Sequence, residues 1–137
     1  LLAIGCAAGG EFRPLRAMGF EVVGIDIVDS MLRSAKHRFA GDSGVTFCLA
    51  DIEHLPFADG SFDHVVCLGV LEYVPHYEPS LAEMTRVVRP GGRVLISVPS
   101  RLSAYETCHR WATTFPQPLS SRPIAHNACA ARVTSRR

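Results

Sequence analysis

At 137 residues the chain has room for one domain with a modest hydrophobic core. Apolar residues at 47% and charged residues at 20% exclude a disordered or fibrous class, and a net charge of +1 supplies no global attraction to nucleic acid or to an anionic membrane. No apolar run reaches the roughly 18 residues of a membrane span and no charged stretch precedes an apolar one as in a signal peptide, so a cytoplasmic location is the expectation.

In chain order, short apolar runs alternate with amphipathic stretches, the pattern of βαβ units around a parallel sheet. Strands are expected at 1–5, 21–26, 45–49, 63–68 and 93–98. Their near-continuous apolar character suits strands covered on both faces. The first strand is already under way at Leu1, which is not Met, so a core lacking an N-terminal piece is expected. Helices are expected at 10–19, with Pro14 in its first turn, and at 29–40, capped by Asp29 or Ser30. Asp59-Gly60 marks a tight turn before the fourth strand. A third helix is expected at 78–88, with Leu81, Met84, Val87 and Val88 on one face, stopped by Pro90-Gly91-Gly92 before the fifth strand. Residues 1–100 form the expected core. Beyond them, 101–113 has the pattern of one more helix around Leu102, Tyr105 and Trp111, and 116–137 has no period. The tail is rich in Arg and has Glu106 as its one acid, which reads as a solvated terminus before it reads as a nucleic-acid arm.

Cys6, Cys48, Cys67, Cys108 and Cys129 are scattered and show no metal-ligand spacing, so they read as free thiols. The histidines have no such spacing either, and no metal is assigned.

Two constellations carry chemistry. The first is "LLAIGCAAGG" followed by a helix and then "EVVGID". A strand entering a glycine turn lets backbone approach a ligand, and Asp26, about twenty residues on, stands where a carboxylate accepts ribose hydroxyls. This points to a nucleoside cofactor without saying which. The spacing of Gly5, Ala7 and Gly10 also fits a degenerate dinucleotide fingerprint, and a ligand-free βα turn is the bland alternative. The second is "FCLADIEHLPFADGSFDHVV", which sets Asp51 just past the third strand. In a doubly wound sheet Asp51 then reaches the far end of the same nucleoside: its carboxylate would accept from an adenine amino group, and the Ile52 N–H would donate to a ring nitrogen. An Asx turn is the alternative role for Asp51.

Taken in order, "AIGCAAG", "GIDIVDSML", "ADIEHLPFADGSFDHVV", "GVLEYV" and "RVVRPGGRVLISVP" make the chain resemble the class I S-adenosylmethionine (SAM)-dependent methyltransferases, in particular the quinone-biosynthesis and small-molecule branch, over residues 1 to about 100. The resemblance implies a three-layer α/β fold, a doubly wound, mostly parallel Rossmann-like sheet in the order 3-2-1-4-5-7-6, of which strands one to five are legible. It implies SAM as cofactor, with Gly5, Cys6 and Gly9 lining the methionine part, Asp26 and Ile27 at the ribose, Asp51 and Ile52 at the adenine, and Leu68 at the mouth. The chain departs from the family pattern twice: Ala3 stands where an acid is usual, and Ala7 where the central glycine is usual. The Cβ of Ala7 is harmless only at negative φ.

Methyl transfer from a sulfonium needs in-line alignment and exclusion of water more than a fixed catalytic group. If a base is used, the candidates past the fourth strand are Glu72, Tyr73, His76 and Tyr77. His76 leads them as the side-chain type whose charge changes near neutrality. The expected function is methylation of a small-molecule or lipid-like acceptor, with neither nucleic acid nor membrane span as partner. A binding-only truncated remnant is the alternative, and an NAD-dependent oxidoreductase is the third reading, which leaves the Asp51 segment unexplained.

Overall fold

The computed structural model describes residues 1–98. The helix expected at 101–113 and the tail at 116–137 lie outside the described residues. Within them the elements are β1 (Leu2–Ile4), α1 (Phe12–Ala17), β2 (Val22–Asp26), α2 (Asp29–Arg38), β3 (Val45–Leu49), β4 (Phe62–Cys67), a 3₁₀ turn (Leu71–Tyr73), α3 (Tyr77–Val87) and β5 (Val88–Ile96). The five strands form one sheet in the order β3-β2-β1-β4-β5, and every pairing is parallel. The chain starts at the sheet centre, winds outward through β2 and β3, then crosses back to β4 on the other side of β1. That reversal makes β1 the switch point of a doubly wound sheet.

Side chains of a strand alternate between faces, and β1 shows how this divides the core. Leu2 and Ile4 join a cluster with Ile25, Val65, Cys67 and the α3 residues Met84 and Val87, whereas Ala3 joins a second cluster with Val22, Phe12 of α1 and Leu32 of α2. Helices therefore cover both faces, and the layers are three. In the second cluster Phe12 stacks on Phe47 at 5.3 Å between ring centroids and tilts against Phe39 at 5.5 Å. Gly24 makes room for it, since a Cβ there would lie 2.4 Å from Phe12 Cζ.

Local chemistry accounts for most boundaries and corrects three expectations. Pro14 does fall in the first turn of α1, where a missing N–H costs nothing. The N-cap of α2 is Val28, with neither Asp29 nor Ser30 in that role; Asp29 is the first helical residue and forms an i,i+4 ion pair with Arg33. Pro90-Gly91-Gly92 does not separate α3 from the last strand: β5 begins at Val88, directly after Val87, and the triplet bulges out within it. Phe62 pairs with Val88 and His64 with Arg93, so a short step on β4 faces a longer one on β5. Arg89 on this bulge pairs with Asp63 at 2.8 Å. The third correction concerns cover. Leu95 is 59% exposed and Val94 is also open, so β5, unlike the inner strands, is not covered on both faces by the described residues.

Because Phe12 is wholly buried among aromatic rings, Phe12→Ala is expected to cost about 3–5 kcal/mol of stability, read from the urea unfolding midpoint of the full chain.

Candidate functional site

Ligands of open α/β sheets bind beyond the carboxyl ends of the strands, beside the switch point. At that end the pairing register sets the candidate residues side by side. Ile4 pairs with both Ile25 and Cys67, so Gly5, Asp26 and Leu68 leave the sheet together; Asp26 pairs with Leu49, which brings Ile27 beside Ala50 and puts Asp51 next in line.

After β1 the chain turns through Gly5 (φ +66°), Ala7 (φ +44°) and Gly9 (φ +72°), closed by hydrogen bonds from Gly9 N–H to Cys6 O at 2.8 Å and from Cys6 N–H to Ile25 O at 2.9 Å. Gly5 lies so near Val70 that a Cβ would meet Val70 Cγ2 at 2.1 Å, which ties the turn to the segment after β4. Ala7 sits in the left-handed region that favours glycine, contrary to the negative φ its Cβ calls for. Such a conformation costs a residue with a Cβ about 1–2 kcal/mol. What holds it is Asp26: Oδ2 accepts the Ala7 N–H at 2.8 Å and Oδ1 accepts the Val28 N–H at 2.8 Å. A carboxylate has about four lone-pair directions, so each oxygen keeps one for a further donor.

Asp51 also makes the Asx turn: Oδ1 accepts the Glu53 N–H at 3.0 Å, and the Asp51 carbonyl accepts from His54 N–H at 3.1 Å. The turn occupies one carboxylate oxygen, and no described residue bonds Oδ2, so both roles are compatible. Ile52 buries its side chain in the larger core cluster. Ala50 N–H donates to Asp26 O at 3.2 Å, which joins the two acidic loops. Ile27 is 56% and Leu68 44% exposed, apolar side chains held open to solvent at this edge. Cys6 behaves differently from its neighbours: its thiol is buried, and burial first, then the Asp26 and Glu11 charges, push its pKa up to about 12. It stays a protonated core residue, and only its backbone lies along the turn. The thiol of Cys67 is likewise raised, to about 11, by burial.

On the acceptor side Glu72 and Tyr73 lie on the 3₁₀ turn, His76 is the N-cap of α3 and Tyr77 opens that helix. All four are exposed. Ser97 enters the site unannounced by sequence: its Oγ accepts the Gly69 N–H at 2.8 Å and fixes the loop after Leu68.

Arg86 was equally silent in the sequence. It donates to Glu83, to the carbonyls of Leu55 and Phe57 and to Asp59, and so pins the loop that begins at Asp51 onto α3. The same fork holds the Glu83 carboxyl below the usual range, with its bond from Leu55 N–H assisting.

A groove of about 1290 Å³ lies at the opposite end of the sheet, lined among others by Leu1, Phe20, Asp42, Ser61, Asp63 and Arg89. None of the candidate cofactor residues touches it. Its walls are the amino ends of the strands, away from the divergence of β2 and β4, so size alone does not make it the site.

A class of protein is defined by this combination: a switch-point turn after β1, an acid after β2 and an acid after β3. The family model described as "Methyltransferase domain" matches residues 2–96, and the chain belongs to that family. It is similar to a demethylmenaquinone methyltransferase of Clavibacter sepedonicus (38% identity, 70% of this chain and 39% of that protein) and to a malonyl-[acyl-carrier protein] O-methyltransferase of Erwinia pyrifoliae (34% identity, 81% and 41%). Among solved structures it resembles a SAM-dependent methyltransferase from Methanosarcina mazei, with 28% identity, a TM-score of 0.64 and coverage of 69% of this chain and 50% of that one. The chain spans about two fifths of the length of these curated relatives. The family match speaks for a methyltransferase domain over the dinucleotide oxidoreductase.

Two measurements test the geometry. Ala7→Gly removes the left-handed strain and is expected to raise stability by about 1 kcal/mol, where a glycine elsewhere lowers it; a higher urea midpoint at unchanged slope is the sign. The lowered Glu83 carboxyl contributes stability that is whole above its ordinary value of 4.5 and is lost as pH falls below it. Glu83→Gln is therefore expected to flatten the acid limb of a midpoint-against-pH curve below about pH 4.5 while leaving its neutral region parallel to wild type.

Proposed function

We propose that this chain is the cofactor-binding part of a SAM-dependent methyltransferase acting on a small-molecule or lipid-like acceptor in the cytoplasm. The observation that carries the reading is the junction of Asp26 and Asp51 at neighbouring carboxyl ends, with Asp26 already gripping the glycine turn. The donor set suits the cofactor. Asp26 keeps lone pairs for a ribose diol, Asp51 keeps Oδ2 for an adenine amino group, and Ile27 and Leu68 offer apolar surface to a purine and to the mouth of the cleft. Gly5, Cys6 and Gly9 supply backbone along the methionine part, and Ile52 supplies backbone at the adenine edge. When bound, SAM provides an electrophilic methyl on a sulfonium. The chain's share is to hold that group in line with the acceptor and to keep water out. Ala3, wholly within the core, offers no carboxylate to the methionine ammonium, which is expected to weaken binding about ten- to hundredfold relative to a chain with the acid.

The acceptor side is read from His76, proposed as the base if the acceptor carries a proton to lose, and from Tyr73 and Tyr77, exposed rings beside it. Relatives named for a demethylmenaquinone and for a malonyl-[acyl-carrier protein] support a small-molecule or lipid-like acceptor. The near-neutral charge supports no role for nucleic acid, and the buried thiols of Cys6 and Cys67 suit a reducing compartment. No described helix is long and apolar enough to cross a membrane.

Calorimetric titration of the full chain tests the reading. SAM is expected to bind and NAD not to, and Asp26→Ala is expected to weaken SAM about tenfold or more. Equal affinity in the variant, or a preference for NAD, overturns the assignment.

A further inference from the structure

The loop from Asp51 to Gly60 has no regular secondary structure, yet its residues at the candidate adenine edge must keep a fixed place. Its apolar side chains Ile52, Leu55 and Phe57 are buried, which fixes depth but not the backbone path. Arg86 fixes the path. From the last turn of α3 its Nη2 donates to Leu55 O at 3.0 Å and to Glu83 Oε2 at 2.8 Å, its Nη1 to Phe57 O and to Asp59 Oδ1, both at 2.8 Å, and its Nε to Glu83 Oε1 at 2.7 Å. Every N–H of the planar guanidinium is thereby used. Glu83 Oε2 in turn accepts the Leu55 N–H at 2.7 Å, and Arg86 O accepts the Gly60 N–H at 2.9 Å. The side chain is partly buried against the loop it binds, so these bonds are shielded in a way a surface pair is not; only Asp59, at 81% exposure, is a weak partner.

We propose that Arg86 is a positioning residue for nucleobase recognition: acting with Glu83 through the Leu55 and Phe57 backbone, it holds Asp51 and Ile52 in register with the exocyclic amino group and ring nitrogen of an adenine. The proposal rests on the SAM reading above. The fork grips the loop a few residues beyond Asp51, at the point where the chain leaves the Asx turn. A lysine cannot reproduce it, because a point charge with a tetrahedral head does not span two carbonyls and a carboxylate in one plane. Arg86 never touches the ligand, so its loss acts on base selectivity through Asp51 and leaves the ribose grip of Asp26 in place.

The test measures affinities of the full chain for S-adenosylhomocysteine and for its deaminated counterpart S-inosylhomocysteine, in wild type, Asp51→Asn, Arg86→Met and Arg86→Lys, each verified as folded by near-ultraviolet circular dichroism. Wild type is expected to prefer the adenosyl ligand by about tenfold, the worth of one charge-assisted hydrogen bond. Asp51→Asn and both Arg86 variants are expected to lose most of that preference, and adding Asp51→Asn to an Arg86 variant is expected to take away little more. Should Arg86→Met fail to fold, Arg86→Lys keeps the charge and tests the fork alone. A folded Arg86 variant that retains the preference while Asp51→Asn loses it overturns the role of Arg86 and leaves the SAM reading standing. A wild-type chain that binds neither ligand overturns both.

Discussion

One carboxylate joins the halves of the candidate site. Asp26 ends the second strand, and its two oxygens receive the N–H groups of Ala7, on the turn after β1, and of Val28, ahead of α2. The first bond fixes a turn that would otherwise relax out of a left-handed conformation. The second orients the start of α2, whose N-cap has no side-chain hydrogen bond of its own. Bonds to a charged acceptor contribute about 1.5–3 kcal/mol each, comparable to the cost of the Ala7 backbone. The residue proposed to meet a ribose is thus also the residue that shapes the turn. Neutralising Asp26 removes both functions together, and Ala7 registers the shape where affinity registers the contact.

The site's two edges are held by different physics. At the glycine turn the restraints are backbone bonds and a carboxylate from β1 and β2, together with close contact from Val70 beyond β4. At the adenine edge the restraint is a long side chain from α3 that crosses to a loop some thirty residues earlier in the chain. The sheet makes this economical. β3 and β4 are separated by β2 and β1, so the loop joining them runs across the end of the sheet toward α3, where an arginine in the last helical turn meets its carbonyls.

The alternation of strands and helices and the acidic residues were legible in the sequence because they depend on local patterns, whereas the strand order was implied by the family resemblance. Alternating apolar runs, a glycine turn after the first strand and an acid at the ends of the second and third are visible in a string of letters, and the β3 limits expected from it coincide with those found. Three features were hidden because each depends on partners distant in sequence. The left-handed Ala7 is set by Asp26 and cannot be read from alanine. The bulge at Pro90 is set by where β4 lies, since the triplet that looks like a helix stop is taken into a strand directly after Val87. Arg86 reads as an ordinary cation on an amphipathic helix until the Leu55 and Phe57 carbonyls are brought to it. Cys6 shows the converse: it stands in the right motif, but strand alternation and the following turn send its thiol into the core.

For methyl transfer, this distribution of restraints is what the chemistry asks for. An activated methyl needs no oxyanion hole or metal to draw it forward; it needs the sulfur, methyl and acceptor held in a line, with positional errors well under an ångström. Rigidity at the ends of the cofactor serves that purpose better than a strong catalytic side chain near the methyl. On the reading proposed above, the backbone turn and Asp26 hold one end and the Asp51 loop the other. Tyr73, His76 and Tyr77 are exposed on the segment that follows β4. On that same reading, the exposed segment after β4 is where a change of acceptor would be accommodated.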